Sequence, residues 1–570
     1  MMVNHAPLEV KNVDLCEREN AKPHRTDLYE LVTMDPPTPV LRRGQSFKLK
    51  LDLDRPFVEG SDIVRIVFSF GSYPNVMRHT KGIATVAKKT SLSANSEIWQ
   101  AIATDFSSKN VSIEVRSPAN CPVGFWKLKI YTTVLGHVET TETYDVDSDI
   151  YLLFNPWVKE DLVYMENKKL LEEYVMTEMG KIWMGTERYP DGRAWFYGQF
   201  DDCVLPACEL MLKRSGISDA SRGDPIKMSR AISRIVNSLD DNGVVWGRWV
   251  NKYEDGVNPS AWTGSVPILE RFLKTGQPVR YGQCWVFSGV VTTVCRALGL
   301  PARSVTNMSS AHDCDKTLSI DWYYDSNHKS LDKDPETEKE FEDSIWNFHV
   351  WNDVWMARPD LPKGYGGWQA VDATPQEISD GMYQCGPASV EAIRQGAVGF
   401  NYDISFMVST VNADIMHWIE DKQSESGWRR IKCSKDGVGR LIVTKAPFRL
   451  DEYGNSDLED ITSSYKAREG TQEERLNLYR AARSLNGART HYAIPKYIGE
   501  DCEFDLVDLD TVKIGEPFSL RVTVKNNSHE RRTFRGNLTV KSVYYNGNPG
   551  NMVISSPVDL TVYPKDRKLN

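Results

Sequence analysis

The chain contains no apolar run near the ~18 residues a helical membrane span needs. Its opening segment, MMVNHAPLEVKNVDLCEREN, carries neither the basic cluster nor the apolar stretch of a secretory signal. Those absences point to a cytoplasmic protein, or to one exported without a signal peptide. Cysteine is sparse, ten in 570 residues, and no two stand in a CxxC pair. A disulfide scaffold is thereby excluded, no structural zinc motif is offered, and the thiols read as reduced. With a net charge of -9 and no basic block, a general nucleic-acid binder is excluded as well. There is no internal repeat and no low-complexity tract; the acidic stretch LDKDPETEKEFED (331–343) reads as a solvated loop. Sequons at Asn110, Asn307, Asn526 and Asn537 read as chance occurrences in a chain without a signal peptide.

What is present is the composition of an ordinary globular protein, 41% hydrophobic and 26% charged, at a length that holds several domains. Residues 1–155 read as an all-β domain, since FKLKLDL (47–53) and WKLKIY (126–131) alternate apolar and polar positions strictly. YLLFNPW (151–157) marks a boundary, and residues 156–490 read as α+β. The helical pieces there are VKEDLVYMENKKLLEEYVM (158–176), SRAISRIVNSL (229–239) and a nearly all-apolar segment from Trp285 to Leu298, which Gly299 and Pro301 stop. Residues 495–570 return to alternation, with about four strands and an Asn-Gly turn in VYYNGNPG.

Chemistry gathers around three residues. Cys284 lies in the first turn of the apolar helix, where the helix dipole and unpaired N–H groups favour a thiolate. Such a nucleophile needs a base, and the base an orienting partner. SIWNFHVWNDVWM (344–356) reads as a strand carrying His349, and GWQAVDATPQE (367–377) as a second strand carrying Asp372. A hairpin that turns within RPDLPKGYGG sets His349 and Asp372 nearly opposite each other. The order Cys, His, Asp is that of papain-like acyl-transfer enzymes.

The segments YGQCWVF, RSVTNMSSAHD, SIWNFHVWNDVWM, RPDLPKGYGGWQAVDATPQE and YQCGP resemble the core of animal transglutaminases, of the tissue and coagulation factor thirteen A chain type. The resemblance runs from about residue 20 to 563. It implies a multidomain fold: an immunoglobulin-like N-terminal β-sandwich (1–155), a papain-like α+β cysteine catalytic core (156–490), and a C-terminal β-sandwich or barrel (495–570). It also implies the triad Cys284, His349 and Asp372, and calcium-dependent acyl transfer from a protein glutamine to a lysine or other primary amine. Two alternatives stand beside that activity, a thiol amidase or deamidase and a weakly active scaffold isoform. By the same resemblance Trp249 and Trp346 line a channel that keeps water from the thioester, and the Trp249 indole N–H, with the Cys284 N–H, stabilises the oxyanion.

Three places offer hard oxygens for calcium. Asn412, Asp414, Glu469 and Glu474 match a family site and rank first; Asp313, Asp315 and Thr317, with the distant Asp343, rank second; Asn237 and Asp241 rank last, because Leu239 replaces a family asparagine. Cys385 lacks the adjacent cysteine of some relatives, so no vicinal disulfide forms. Against the family pattern the first C-terminal barrel is incomplete and the second missing, so the chain resembles a C-terminally truncated form of the family, with an invertebrate source expected. Tyr545 matches the tyrosine that bonds the resting cysteine, so the expectation is weakened autoinhibition and loss of a nucleotide-inhibition site.

Overall fold

A computed structural model describes residues 6–492, apart from 89–90, 94–95, 104–107, 136, 336 and 425, together with 502–507, 517–519, 521–543, 549–564 and 567–569. The N-terminal alternation folds as its period dictates. Ser46–Leu53 buries Phe47, Leu49, Leu51 and Leu53, while Gly124–Val134 buries Trp126, Leu128 and Ile130. Val10–Asp14, Ser46–Leu53, Asn110–Arg116 and Gln100–Ala103 form one antiparallel leaf. Lys81–Lys88, Asp62–Phe70, Gly124–Val134 and Ile150–Leu153 form the other. The parallel pair of Lys81–Lys88 with Gln100–Ala103 joins them. Leu49, Ile66, Ile113, Val115, Trp126 and Ile130 fill the space between, as a sandwich requires.

A buried ion pair ties this sandwich to the catalytic core. Arg43 Nε and Nη2 each lie 2.7 Å from a different oxygen of Asp161, and Nη1 donates to the carbonyls of Cys121 and Gly223. The carboxylate also accepts the N–H groups of Asn155 and Val163. That demand corrects the helical reading of 158–176: the segment turns around Asp161 and is helical only over Lys168–Leu171 and Glu172–Met176.

In the core, the helix Cys284–Leu298 is buried at every position but Trp285 and ends in a left-handed Gly299, φ 90°. The helix Pro225–Val236 begins on an Asp224 cap with Pro225 at its first position. Six strands lie in the order Cys385–Ser389, Gly367–Asp372, Ser344–Met356, Ala302–His312, Leu441–Lys445 and Leu458–Asp460. Buried polar contacts strap the cysteine helix to the histidine strand: Ser288 Oγ donates to the Trp351 carbonyl at 2.9 Å, and Asn352 Nδ2 donates to Ser288 O at 3.0 Å and Thr292 Oγ1 at 2.8 Å. No described helix is long and apolar enough to cross a membrane.

Among the described C-terminal residues, Cys502–Val507, Arg521–Asn526 and Arg567–Leu569 form one sheet, and Arg532–Val543 pairs with Pro549–Val562. The Asn-Gly turn, Asn546 and Gly547, lies outside the described residues. Two sequon asparagines, Asn307 and Asn526, are buried and spend their amides on neighbouring oxygens.

Removing one partner of a buried charge pair strands the other. Arg43→Ala is expected to cost about 3–5 kcal/mol, read as a lower denaturation midpoint in urea, whereas the exposed pair partner Lys88→Ala is expected to change it by under ~1 kcal/mol.

Candidate active site

Cys284 is the first residue of its helix, so its sulfur sits at the positive end of the dipole. The approach to the cysteine is fixed by two bonds to one residue: Arg248 N–H donates to Gly282 O at 3.1 Å, and Gln283 Nε2 donates to Arg248 O at 2.9 Å. Gln283 also donates to the Tyr253 hydroxyl at 3.1 Å. These bonds strap the loop that carries Trp249 to the cysteine, a link the sequence reading missed.

His349 and Asp372 do stand on neighbouring strands, but the register differs from the sequence expectation. Asn352 pairs with Val371 and Trp355 with Trp368, which places Asp372 diagonal to His349 rather than opposite it. Diagonal neighbours on one face remain within reach. His349 Nε2 lies 2.6 Å from Asp372 Oδ2, with the two residues only 1% and 2% exposed. Asp372 Oδ1 accepts the Thr374 N–H at 2.9 Å, and Gln376 Nε2 donates to Oδ2 at 2.9 Å while lying 2.8 Å from the ring nitrogen. Gln376 belongs to the quoted motif, yet nothing in the pattern assigned it a contact.

The other ring nitrogen, Nδ1, is buried and makes no regular hydrogen bond. With Nε2 taken by Asp372, Nδ1 is the ring atom left for Cys284, whose proximity also favours the charged imidazole. Burial alone lowers the histidine, but the Asp372 charge and hydrogen bond, with Cys284 added, raise it to about 10. A charged imidazole beside a thiol is the arrangement that yields a thiolate nucleophile.

Aromatic rings enclose this centre. Trp346 meets His349 edge to face at 5.0 Å between centroids, and Trp249 lies 6.5 Å from Trp346 and 6.4 Å from Phe287, nearly parallel to the latter. Phe287 is one helical turn past Cys284. Gly247 permits that closeness: a Cβ there would stand 2.6 Å from the Trp249 ring. Trp249 is 47% exposed, whereas Cys284 is 4% exposed, so the aromatic pair is the outer surface of a shielded sulfur.

The three hard-oxygen places differ in geometry. Asp313, Asp315 and Asp343 converge, with ligand atoms within 4.8 Å of one another. Thr317 Oγ1 donates to Asp315 at 2.8 Å, and to Asp321 at 3.2 Å, a carboxylate the sequence reading did not include. Burial, with the neighbouring carboxylates, pushes Asp313 up to about 6 and Asp343 up to about 7. Asp343, the last residue of the supposedly solvated acidic loop, is thus half-buried and converges with the buried Asp313 and the exposed Asp315. In the first-ranked place, Asn412 Nδ2 donates to Glu474 at 3.0 Å and Asn412 Oδ1 is buried without a partner. Its remaining carboxylates face cations of the chain: Arg475 grips Asp414 at 2.8 and 2.9 Å and also Glu474, and Lys466 pairs with Glu469. Asn237 spends its amide on the Tyr383 carbonyl and its oxygen on the Leu239 N–H, while Asp241 faces Arg234 at 3.4 Å with both carboxylate oxygens buried and without a hydrogen bond. Tyr545 lies outside the described residues.

A helix-borne thiol, an imidazole and a buried carboxylate in this order define a papain-like cysteine acyl-transfer centre. The chain matches the Transglutaminase family model over residues 11–133 and the Transglutaminase-like superfamily model over 247–373. It belongs to the transglutaminase family. It is 44% identical over 566 residues to the hemocyte protein-glutamine gamma-glutamyltransferase of Tachypleus tridentatus, covering 99% of this chain and 73% of that protein. To the human coagulation factor XIII A chain it is 39% identical, covering 96% of this chain and 71% of the other. The crystal structure of red sea bream transglutaminase superposes with a TM-score of 0.69 at 34% identity, over 98% of this chain and 78% of that one.

A histidine raised above its ordinary 6.5 contributes stability that is complete below that value and is lost as the pH climbs through about 10. Asp372→Asn removes the main cause. The gap in melting temperature between wild type and Asp372→Asn is therefore expected to be widest near pH 6 and to narrow steadily toward pH 10; a gap that widens with pH would contradict this electrostatic assignment.

Proposed function

We infer from site and family together that the chain is an enzyme, a protein-glutamine gamma-glutamyltransferase that crosslinks proteins. The observation that carries this reading is the buried His349–Asp372 pair beside Cys284, enclosed by Trp249 and Trp346. The sulfur attacks the side-chain carboxamide of a protein glutamine. His349 delivers its proton to the departing nitrogen, ammonia leaves, and a thioester remains on Cys284. A lysine ε-amine or another primary amine then attacks, His349 takes the amine proton, the bond from Cys284 to the acyl carbon breaks, and the isopeptide product leaves with the thiolate–imidazolium pair restored. Asp372 holds the ring's orientation and charge through both halves.

Water competes with the amine at every turnover. The indoles of Trp249 and Trp346 present apolar surface at the outer side of the sulfur, which favours a desolvated amine over bulk solvent. Trp249 is also the donor we assign to the oxyanion, a role supported by its stacking on Phe287 beside Cys284. The enclosure speaks against a plain amidase, and the presence of Cys284 beside the bonded His349–Asp372 pair against a scaffold role.

Calcium is the cation we assign to the chain. The Asp313, Asp315 and Asp343 cluster, with Thr317 and Asp321 beside it, suits a hard dication because its converging carboxylates repel without one. The partnerless Asn412 oxygen next to Glu474 supports a second position. Bound there, calcium supplies charge neutralisation and fixes loops flanking the site. The ten free cysteines support a reducing compartment such as the cytoplasm.

Incorporation of a labelled primary amine into casein, with calcium or chelator, tests the reading: Cys284→Ala is expected to abolish it, and Trp249→Ala to lower kcat by about 10²–10³-fold. Amine incorporation that survives in Cys284→Ala would end the proposal. For calcium, Asp343→Asn is expected to raise the half-activating concentration at least about tenfold, with Asp241→Asn within about twofold of wild type.

A further inference from the structure

Around the end of the strand Ala302–His312, successive residues face different chemistry. Asp313 and Asp315 turn toward the oxygen cluster, whereas His312 and Cys314 turn toward Glu377, which comes directly after Gln376. His312 Nε2 lies 3.2 Å from Glu377 Oε1, and Cys314 Sγ lies 3.7 Å from Nδ1 and 4.0 Å from Nε2 of the same ring. One ligand atom from each of the three residues falls within 4.8 Å of the others, and all three side chains are partly exposed. Ligand atoms around a tetrahedral zinc, at ~2.0–2.3 Å from the ion, stand roughly 3.2–3.8 Å apart, so small side-chain rotations close this set on an ion. Sulfur, imidazole and carboxylate together favour a transition metal over calcium, which takes six or more oxygens. Asp343 and Glu342 add negative potential close by.

We propose that His312, Cys314 and Glu377 form a binding site for a divalent transition metal of the zinc class, and that its occupancy slows acyl transfer. The metal replaces the thiol proton, which passes to solvent, and three protein ligands leave the fourth position to water. The route to the active site is short. The His312 ring packs on Trp346 at 5.9 Å, Trp346 packs on His349, and Glu377 adjoins the residue whose amide bonds Asp372. An ion gripping His312 and Glu377 therefore pins one side of the aromatic enclosure through which the amine must pass. Cys314 N–H also donates to Asp343 Oδ1 at 2.9 Å, so the same loop is shared with the oxygen cluster.

Cobalt(II), added to the full chain without calcium, is the probe. One equivalent is expected to give a thiolate-to-cobalt charge-transfer band that persists in Cys284→Ala, disappears in Cys314→Ser, and needs at least about tenfold more cobalt in Glu377→Gln. No band in wild type, a band that survives Cys314→Ser, or one lost in Cys284→Ala would overturn the site. The inhibitory part rests on the acyl-transfer reading. In amine incorporation with calcium, Cys314→Ser is expected to keep metal-free activity and to raise the half-inhibiting zinc concentration at least about tenfold; equal inhibition in both proteins would overturn it. A wild type without any amine incorporation would instead defeat the acyl-transfer reading, and the cobalt spectrum would still decide the site.

Discussion

Everything chemical in this chain depends on keeping one imidazole charged and oriented where water does not reach it. Burial works against that charge, so the Asp372 carboxylate must oppose it at hydrogen-bond distance, and it does so at 2.6 Å. The carboxylate is in turn held by Thr374 N–H and the Gln376 amide. A buried ion pair is costly unless its remaining hydrogen-bonding capacity is met. Here the oxygens are met by backbone and side chain within four residues of Asp372 itself.

The fold serves this pair by bringing the thiol to it from another element. Ser288, Thr292 and Asn352 lock the cysteine helix across the histidine strand, so the sulfur cannot slide along the strand without breaking buried hydrogen bonds. Gln283 and Arg248 then tie the Trp249 loop to the same helix end. The enclosure and the nucleophile thus move as one unit, which suits a reaction that must admit an amine and refuse water.

Cation handling shows a similar division. The oxygen cluster of Asp313, Asp315 and Asp343 brings carboxylates together with, among the described residues, no cation of the chain paired to them, whereas Arg475 and Lys466 already neutralise much of the Asp414, Glu469 and Glu474 set. A divalent ion entering the first relieves repulsion; entering the second, it must displace a guanidinium and an ammonium. The two places therefore differ in how far the chain's own cations already neutralise them.

The residues alone gave the alternating N-terminal strands, the apolar helix stopped at Gly299, and the identities of Cys284, His349 and Asp372, because periodicity, stop signals and motif spacing are local properties of the chain. Tertiary structure decided the rest: the diagonal placement of Asp372, the holding roles of Gln283 and Gln376, the turn around Asp161 where a helix was expected, and the meeting of His312 and Cys314 with Glu377. Each of these depends on which side chain a distant segment brings to a buried polar atom. No linear pattern carries that information, since a buried donor or acceptor takes its partner by proximity in space and not by separation along the sequence.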